Sequence, residues 1–220
     1  EGYLYQRAYE EMDQETAFYG NLGAARLTGD EKAIYEALKV HAEEIAAGRK
    51  ISSEVTVSGF ASLKSSQVEE AVRKVISYLL MDCPYDLYWY DKTAGYKITW
   101  GPKNNDALAE YITFSLKVAM DYQGADSYTV DRSKTGAVDK AVNTAQSIVK
   151  KYENQSDYNK LKAYLKEICD RAAYNTNATV SATPYGNPWQ LIWVFDDNSN
   201  TNVVCEGYSK AFQYLCDLSF

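Results

Sequence analysis

Apolar residues recur at intervals of three and four along most of this 220-residue chain, and this period limits the fold more than any other feature of the sequence. In the clearest stretch, Val68, Val72, Ile76 and Leu79 fall on one face of an α-helix, because an α-helix has 3.6 residues per turn. Helices of this kind bury their apolar faces against one another. The sequence therefore predicts a mostly α protein of the α+β class, with a small amount of sheet.

Several further helices are predicted, some of them with signals at their ends. Residues 28–31 have the pattern of a capping box at the start of a helix that Gly48 is placed to end. Ser66 and Glu69 have the same pattern at the start of the helix that contains Val68 to Leu79. Ser156 is predicted to be the N-cap of a later helix. Helical spacing also predicts helices within residues 3–19, 108–119, 138–149, 156–172 and 205–218.

The period changes to two in a short segment, residues 51–60, where Val55 and Val57 alternate with polar residues. This alternation predicts a β-strand with one buried face. Residues 87–90 and 96–100 flank a polar stretch that ends in glycine. The two segments are therefore predicted to pair as a β-hairpin.

Two structural units are predicted, with a boundary just after residue 152. Residues 1–152 are expected to form a helical domain with a short β insert, and residues 153–220 the helical beginning of a second domain. Within the second unit, residues 175–188 are rich in Asn, Thr, Pro and Gly and are predicted to be a loop. The apolar run 190–195 fits either a strand or a buried turn of helix.

The chain is acidic, with a formal net charge of -7 and a sequence pI near 4.9. Its Lys and Arg residues are scattered among acidic ones, so binding to nucleic acid or to an anionic membrane is not expected. No membrane span is predicted, because the sequence has no run of about 18 apolar residues. The 20 tyrosines fit a Tyr-rich core and rim, or aromatic platforms that bind a peptide or a sugar.

The sequence predicts no metal site and no cofactor. It has one histidine, His41, and its four cysteines (Cys83, Cys169, Cys205 and Cys216) do not form a CxxC pair. Cys205 and Cys216 fall on one predicted helix roughly 16 Å apart, which is too far for a disulfide. Cys83 and Cys216 are interpreted as structural residues, and His41 as an ordinary helix residue.

Cys205 is the residue with the clearest chemical signal. A polar loop leads through Val203 and Val204 to this cysteine at the start of an amphipathic helix. The partial positive charge and unpaired N–H groups of a helix N-terminus stabilise a thiolate, and the Cys205 N–H can face an oxyanion on an attacked carbonyl. The small Gly207 leaves space near the thiol. We therefore expect Cys205 to be a nucleophile facing a cleft; the alternative is a small buried hydrophobe.

The segment V-C-E-G-Y-S-K-A-F, residues 204–212, resembles the active-site segment of bacterial transglutaminase-like proteins, in which V-C-x-G-x-[AS]-x-A-[FL] holds the nucleophilic cysteine. Residues 156–175 resemble the helix that opens this domain and ends in a Y-[DN] pair, although Tyr164 stands where a His is common. More loosely, residues 82–89 resemble the helical region that precedes the domain in secreted Firmicutes members.

The resemblance implies that residues 153–220 form the first, helical half of a transglutaminase-like (papain-like) domain. In that family a His and then an Asp follow on strands after the nucleophile helix, so these partners and strands are expected beyond residue 220. Trp189 and Gln190 are predicted either to line the cleft of Cys205 and donate to an oxyanion, or simply to pack. The apolar face of the helix within residues 205–218 is expected to be uncovered and to allow self-association.

The implied function is acyl transfer through a thioester at Cys205, acting on protein or peptide amides by crosslinking, deamidation or proteolysis. Residues 1–220 by themselves are expected to be inactive, because acyl transfer needs a general base that later protonates the leaving amine. A secreted or cell-surface location is implied by the resemblance alone. Two alternatives are a non-catalytic cell-surface or interaction module with the same fold, and a purely structural helical domain with a chance Cys motif.

Overall fold

The structure is a computed structural model that describes residues 22–180 and 186–220. The described chain is mostly helical and carries one small antiparallel sheet. The helix predicted within residues 3–19 lies outside the described residues. The helices are α1 (Leu22–Ala25), α2 (Gly29–Ala46), α3 (Val68–Asp82), α4 (Gly136–Tyr152), α5 (Asp157–Arg171), α6 (Thr176–Val180), α7 (Ile192–Phe195) and α8 (Cys205–Asp217).

The sheet has three strands, β1 (Glu54–Ser58), β2 (Tyr96–Gly101) and β3 (Tyr111–Leu116). Their spatial order is β1-β3-β2, and both pairs are antiparallel. Ile112 on the central strand is fully buried and lies opposite Val57 of β1. The prediction of a strand within residues 51–60 is confirmed, and its alternating pattern reflects one face packed on the core.

The helix predicted within residues 108–119 is wrong, because this region contains β3. Ile112 and Phe114 are both fully buried and alternate with the more exposed Tyr111 and Thr113, which is the period of a strand. The spacing of four between Leu108 and Ile112 suggested a helix. That spacing also keeps two residues on one face of a strand, so it does not distinguish the two structures.

The predicted hairpin between residues 87–90 and 96–100 is also wrong. Strand β2 pairs with β3, and Tyr90 forms only an isolated bridge with Val118. Residues 87–90 form turns, in which the Tyr90 N–H donates to the carbonyl of Leu87 (3.1 Å). Successive residues here, including Trp89, are buried, so they lack the alternation of a two-stranded hairpin.

The predictions for the two ends of α2 are confirmed in position but only partly in chemistry. Thr28 is the N-cap residue of α2, without a side-chain cap bond. The carboxylate of Asp30, in the first turn of α2, instead accepts hydrogen bonds from the backbone N–H groups of residues 61–63 (2.7–2.8 Å). Gly48 has φ +75 and donates to the Ile45 carbonyl, so it ends α2 as predicted.

The second predicted capping box does not form. The Ser66 hydroxyl donates to the carbonyl of Asn105 (3.1 Å) rather than capping α3. Gln67 supplies the capping contact, because its side chain accepts from the Lys64 N–H (3.2 Å) at the start of the short 3-10 turn that leads into α3.

The C-terminal part is built from α4, α5, α7 and α8, which pack on one another. The predicted helices within residues 138–149 and 156–172 are confirmed as α4 and α5, and Ser156 is the N-cap residue of α5. The apolar run 190–195 contains the helical turn α7, which resolves the two interpretations in favour of a helix. The predicted loop within residues 175–188 contains the short helix α6.

The apolar face of α8 is covered, which corrects the expectation of an uncovered face available for self-association. Ala211 and Leu215 are fully buried and Tyr214 is 8% exposed. Helices α4, α5 and α7 of the same chain pack on that face. One hydrophobic core includes residues from both sides of residue 152.

Within residues 22–180 and 186–220, the structure contains no helix with the length and apolar composition that a membrane span requires.

Candidate functional site

Cys205 is the first residue of α8, as predicted, and its side chain is exposed. At 3.6 residues per turn, Cys205 points away from the side of α8 that carries Ala211 and Tyr214. Those two residues are buried. The buried face therefore holds the helix in the core while the thiol faces outward.

Backbone hydrogen bonds fix the position of the residues that precede the thiol. The Val203 N–H donates to the Ala173 carbonyl (3.3 Å), and the Val203 carbonyl accepts from the Asn175 N–H (2.9 Å). The Val204 N–H donates to the Pro188 carbonyl (2.9 Å). Both valines are fully buried. Cys205 thus follows an extended, anchored segment rather than a free loop.

The first turn of α8 offers backbone donors beside the thiol. The first helical bond runs from the Tyr208 N–H to the Val204 carbonyl (3.3 Å). Val204 is the N-cap residue and its aliphatic side chain carries no hydrogen-bond acceptor. The N–H groups of Cys205, Glu206 and Gly207 have no carbonyl four residues earlier in the helix, so they are suited to stabilise negative charge.

Gly207 allows close packing between α8 and the segment before it, and its role of leaving space near the thiol stays a prediction. A Cβ atom built on Gly207 would lie 2.6 Å from the Cβ of Val203 and 3.1 Å from the carbonyl oxygen of Pro188. Gly207 is buried and lies on the core side of α8. Its lack of a side chain lets the segment before Cys205 approach the helix closely.

A chain of charged and polar side chains crosses the start of α8, and sequence reasoning missed it. The Glu206 carboxylate pairs with Lys92 Nζ (2.7 Å) and Lys210 Nζ (2.9 Å). Lys210 Nζ also donates to Oε1 of Gln190 (3.0 Å). Only the Glu206–Lys210 spacing of four was visible as a local signal. Lys92 lies more than 100 residues away in sequence.

Burial and charge act in opposite directions on these groups. Burial by itself would raise the pKa of Glu206, but Lys210 and Lys92 together hold that pKa below its usual value. Burial lowers the pKa of Lys210, and the nearby Glu206 carboxylate opposes this change. The network therefore stays ionised only while its members remain paired.

The structure brings Trp189 and Gln190 next to the start of α8. Trp189 closes the 3-10 turn Asn187–Trp189 and is half-buried. Gln190 is 3% exposed, and its side-chain oxygen is held by Lys210. This contact fixes the Gln190 amide in the packed wall beside the helix.

A pair of tyrosines lies near the start of α8. Tyr174 is 51% exposed, and its ring lies parallel to that of Tyr208, one turn after Cys205. The sequence showed many tyrosines but carried no local signal that these two would meet.

The other cysteines have different environments, and all four are free thiols. Burial raises the pKa of Cys83 to about 12 and that of Cys216 to about 11. Cys169 on α5 is exposed like Cys205. Within residues 22–180 and 186–220, no group of His, Cys, Asp and Glu side chains is arranged to hold a metal ion.

His41 lies on α2, in a different part of the fold. It is 5% exposed, and its Nε2–H donates to the Ser52 carbonyl (3.0 Å). Burial lowers its pKa and favours the neutral ring. His41 thus packs between α2 and the segment that leads into β1.

No protein-family model matches this chain, and no curated protein matches it.

Proposed function

We propose that Cys205 is the nucleophile of a transglutaminase-like cysteine enzyme that acts on protein or peptide amides. One observation carries this proposal: an exposed thiol stands at the first residue of a helix whose opposite face is firmly packed in the core. That arrangement combines access for a substrate with a rigid support for the reacting atom. The segment 204–212, with its resemblance to the active-site motif of the family, supports the same role.

The proposed reaction passes through a thioester. The Cys205 thiolate attacks the amide carbon, and a C–S bond forms while the carbonyl oxygen becomes an oxyanion. First-turn N–H groups of α8 are suited to stabilise that oxyanion. The C–N bond then breaks, and the nitrogen leaves with a proton from a general acid. A second amine or a water molecule takes the acyl group, which gives crosslinking, deamidation or proteolysis.

The general base and acid in this proposal come from a His and an Asp on strands that follow α8, as the resemblance implies. The outward direction of Cys205 is consistent with a segment seated on that side of the helix. His41 is not assigned this role, because it packs beside Ser52 and donates to its carbonyl. We propose a cell-surface or secreted location on the resemblance alone.

A second candidate is a non-catalytic cell-surface or interaction module with the same fold. The observation that favours it is that His41 is committed to the Ser52 carbonyl, so among residues 22–180 and 186–220 no imidazole is placed to act as a general base for Cys205. This candidate predicts that replacing Cys205 does not change the rate of any acyl-transfer reaction.

Turnover assays separate the two candidates. Amine incorporation and peptide cleavage are measured on the 220-residue chain and on the chain extended by the segment that would carry the His and Asp. We expect turnover only in the extended protein and its loss in Cys205→Ala. Cys169→Ala is the matched control, because it removes another exposed free thiol. Equal turnover by the extended protein and its Cys205→Ala variant would favour the non-catalytic module.

A further inference from the structure

The exposed Tyr174 and the half-buried Tyr208 form an aromatic surface, called here the tyrosine platform. Their ring centroids are 6.4 Å apart and their planes differ by 7°. Tyr174 is 51% exposed. The platform is therefore available to a further ring or apolar group.

Both tyrosines are held in place by backbone contacts. The Tyr208 hydroxyl donates to the Ala172 carbonyl (2.6 Å). Tyr174 forms a parallel bridge with Val203, whose carbonyl accepts from the Asn175 N–H (2.9 Å). The Tyr208 ring and the backbone of Tyr174 are thus already ordered, which limits the conformational entropy that binding costs.

Two independent observations place the tyrosine platform near Cys205. Along α8, Tyr208 is three residues after Cys205, and residues at this spacing are neighbours on a helix surface. Across the chain, Tyr174 is paired with Val203, two residues before Cys205. Cys205 and the platform thus start from neighbouring positions on the fold, and Tyr208 also interacts with Cys169 of α5.

We propose that the tyrosine platform is a substrate subsite that binds the aromatic side chain of a peptide, next to the amide that Cys205 attacks. The proposal rests on the proposed function of Cys205. An aromatic side chain is favoured over a sugar because the Tyr208 hydroxyl is committed to Ala172, which leaves the Tyr174 hydroxyl as the one polar group of the pair, and the rest of the platform is ring surface. Offset or edge contacts between rings supply binding energy beyond buried area.

Affinity alkylation of Cys205 tests the subsite on the 220-residue chain itself. Two peptidyl chloromethyl ketones are compared that differ only in Phe or Ala beside the reactive carbon. The thiolate forms a C–S bond while the C–Cl bond breaks and chloride leaves. Mass spectrometry identifies the alkylated cysteine, and the concentration dependence separates the inactivation constant KI from the limiting rate kinact.

We expect Tyr174→Ala to raise KI for the Phe reagent about fivefold. KI for the Ala reagent, kinact for both reagents and the rate with iodoacetamide should stay unchanged. Tyr174→Phe is the matched control, because it keeps the ring and should retain the wild-type KI. Tyr174 is exposed, so the substitution should leave the melting temperature close to that of the wild type.

An unchanged KI for the Phe reagent in Tyr174→Ala would overturn the subsite. A lower melting temperature with an unchanged KI would instead assign Tyr174 a packing role, and would also overturn it. The proposed function fails separately, if the extended protein shows no turnover while the Phe preference persists. If Cys205 resists both reagents, binding of matched Phe and Ala peptide amides is measured by NMR, and equal affinities would overturn the subsite.

Discussion

Replacing Gly207 by Ala separates helix propensity from packing at the candidate site, because the two effects have opposite signs. Ala is favoured over Gly by about 1 kcal/mol in a helix interior, and by less in the first turn, where Gly207 lies. In this structure, however, the new Cβ would lie 2.6 Å from the Cβ of Val203. Neither atom can move by a change of rotamer, since both are attached to the backbone. Val203 is also fully buried and held through both its N–H and its carbonyl.

The magnitude follows from these two effects. Overpacking a well-packed core costs about 1–3 kcal/mol, and a contact this close belongs at the upper end of that range. After the gain in helix propensity, we expect Gly207→Ala to lower the free energy of unfolding by about 1–2 kcal/mol. The double variant with Val203→Ala removes the opposing methyl groups but leaves the Val203 Cβ, so it should relieve only part of the strain.

Urea denaturation followed by circular dichroism gives the required free energies. Gly136→Ala is the control, because a Cβ built on Gly136, the first residue of α4, has no atom within 4 Å. That variant should be neutral or slightly stabilising. If Gly207→Ala stabilised the protein as much as the control, the close approach of Val203 to α8 would be refuted.

Three further predictions concern ionisation and thiol access. Burial and neighbouring carboxylates raise the pKa of Asp86 to about 6, so the folded state binds its proton more tightly and loses stability as pH rises from about 4 to 6; Asp86→Asn should be about 1–2 kcal/mol more stable than the wild type at pH 7 and lose that advantage near pH 4 in urea titrations. Glu206→Gln leaves the buried Lys210 without its carboxylate and should lower the free energy of unfolding by about 2–4 kcal/mol; a loss below about 0.5 kcal/mol, the usual range for exposed pairs, would contradict it. In native protein at pH 8, iodoacetamide should label Cys205 well before Cys83, as peptide mapping will show; equal labelling would contradict their different exposure.

Much of the helical framework could be predicted from the sequence, because an apolar stripe such as Val68 to Leu79 keeps the helical period over several turns, and a strand does not fit that period. The position of Cys205 at a helix start was also predictable. Its polar approach and the apolar spacing behind it are local signals. Strand β3 was not predictable in the same way, because a spacing of four between Leu108 and Ile112 is compatible with the period of a helix and with that of a strand.

The surroundings of the thiol depend on contacts between distant residues, and these have no local pattern. Lys92 reaches Glu206 across 114 positions of sequence, and Tyr174 meets Tyr208 only because Val203 pairs with the segment after α5. The packing role of Gly207 was not predictable for the same reason. A glycine is needed at position 207 because Val203 packs closely against α8, and this contact is seen only in the folded structure.

The thioester that we propose between Cys205 and an amide substrate is detected by the mass of the acylated protein. The chain extended by the proposed His and Asp segment is incubated with a glutamine-containing peptide and quenched in acid. For attack on the glutamine side-chain amide, we expect a mass increase equal to the peptide minus ammonia, located on the tryptic fragment that contains Cys205 and removed by hydroxylamine. The same adduct on the Cys205→Ala variant, or an adduct located on Cys169 instead, would contradict it.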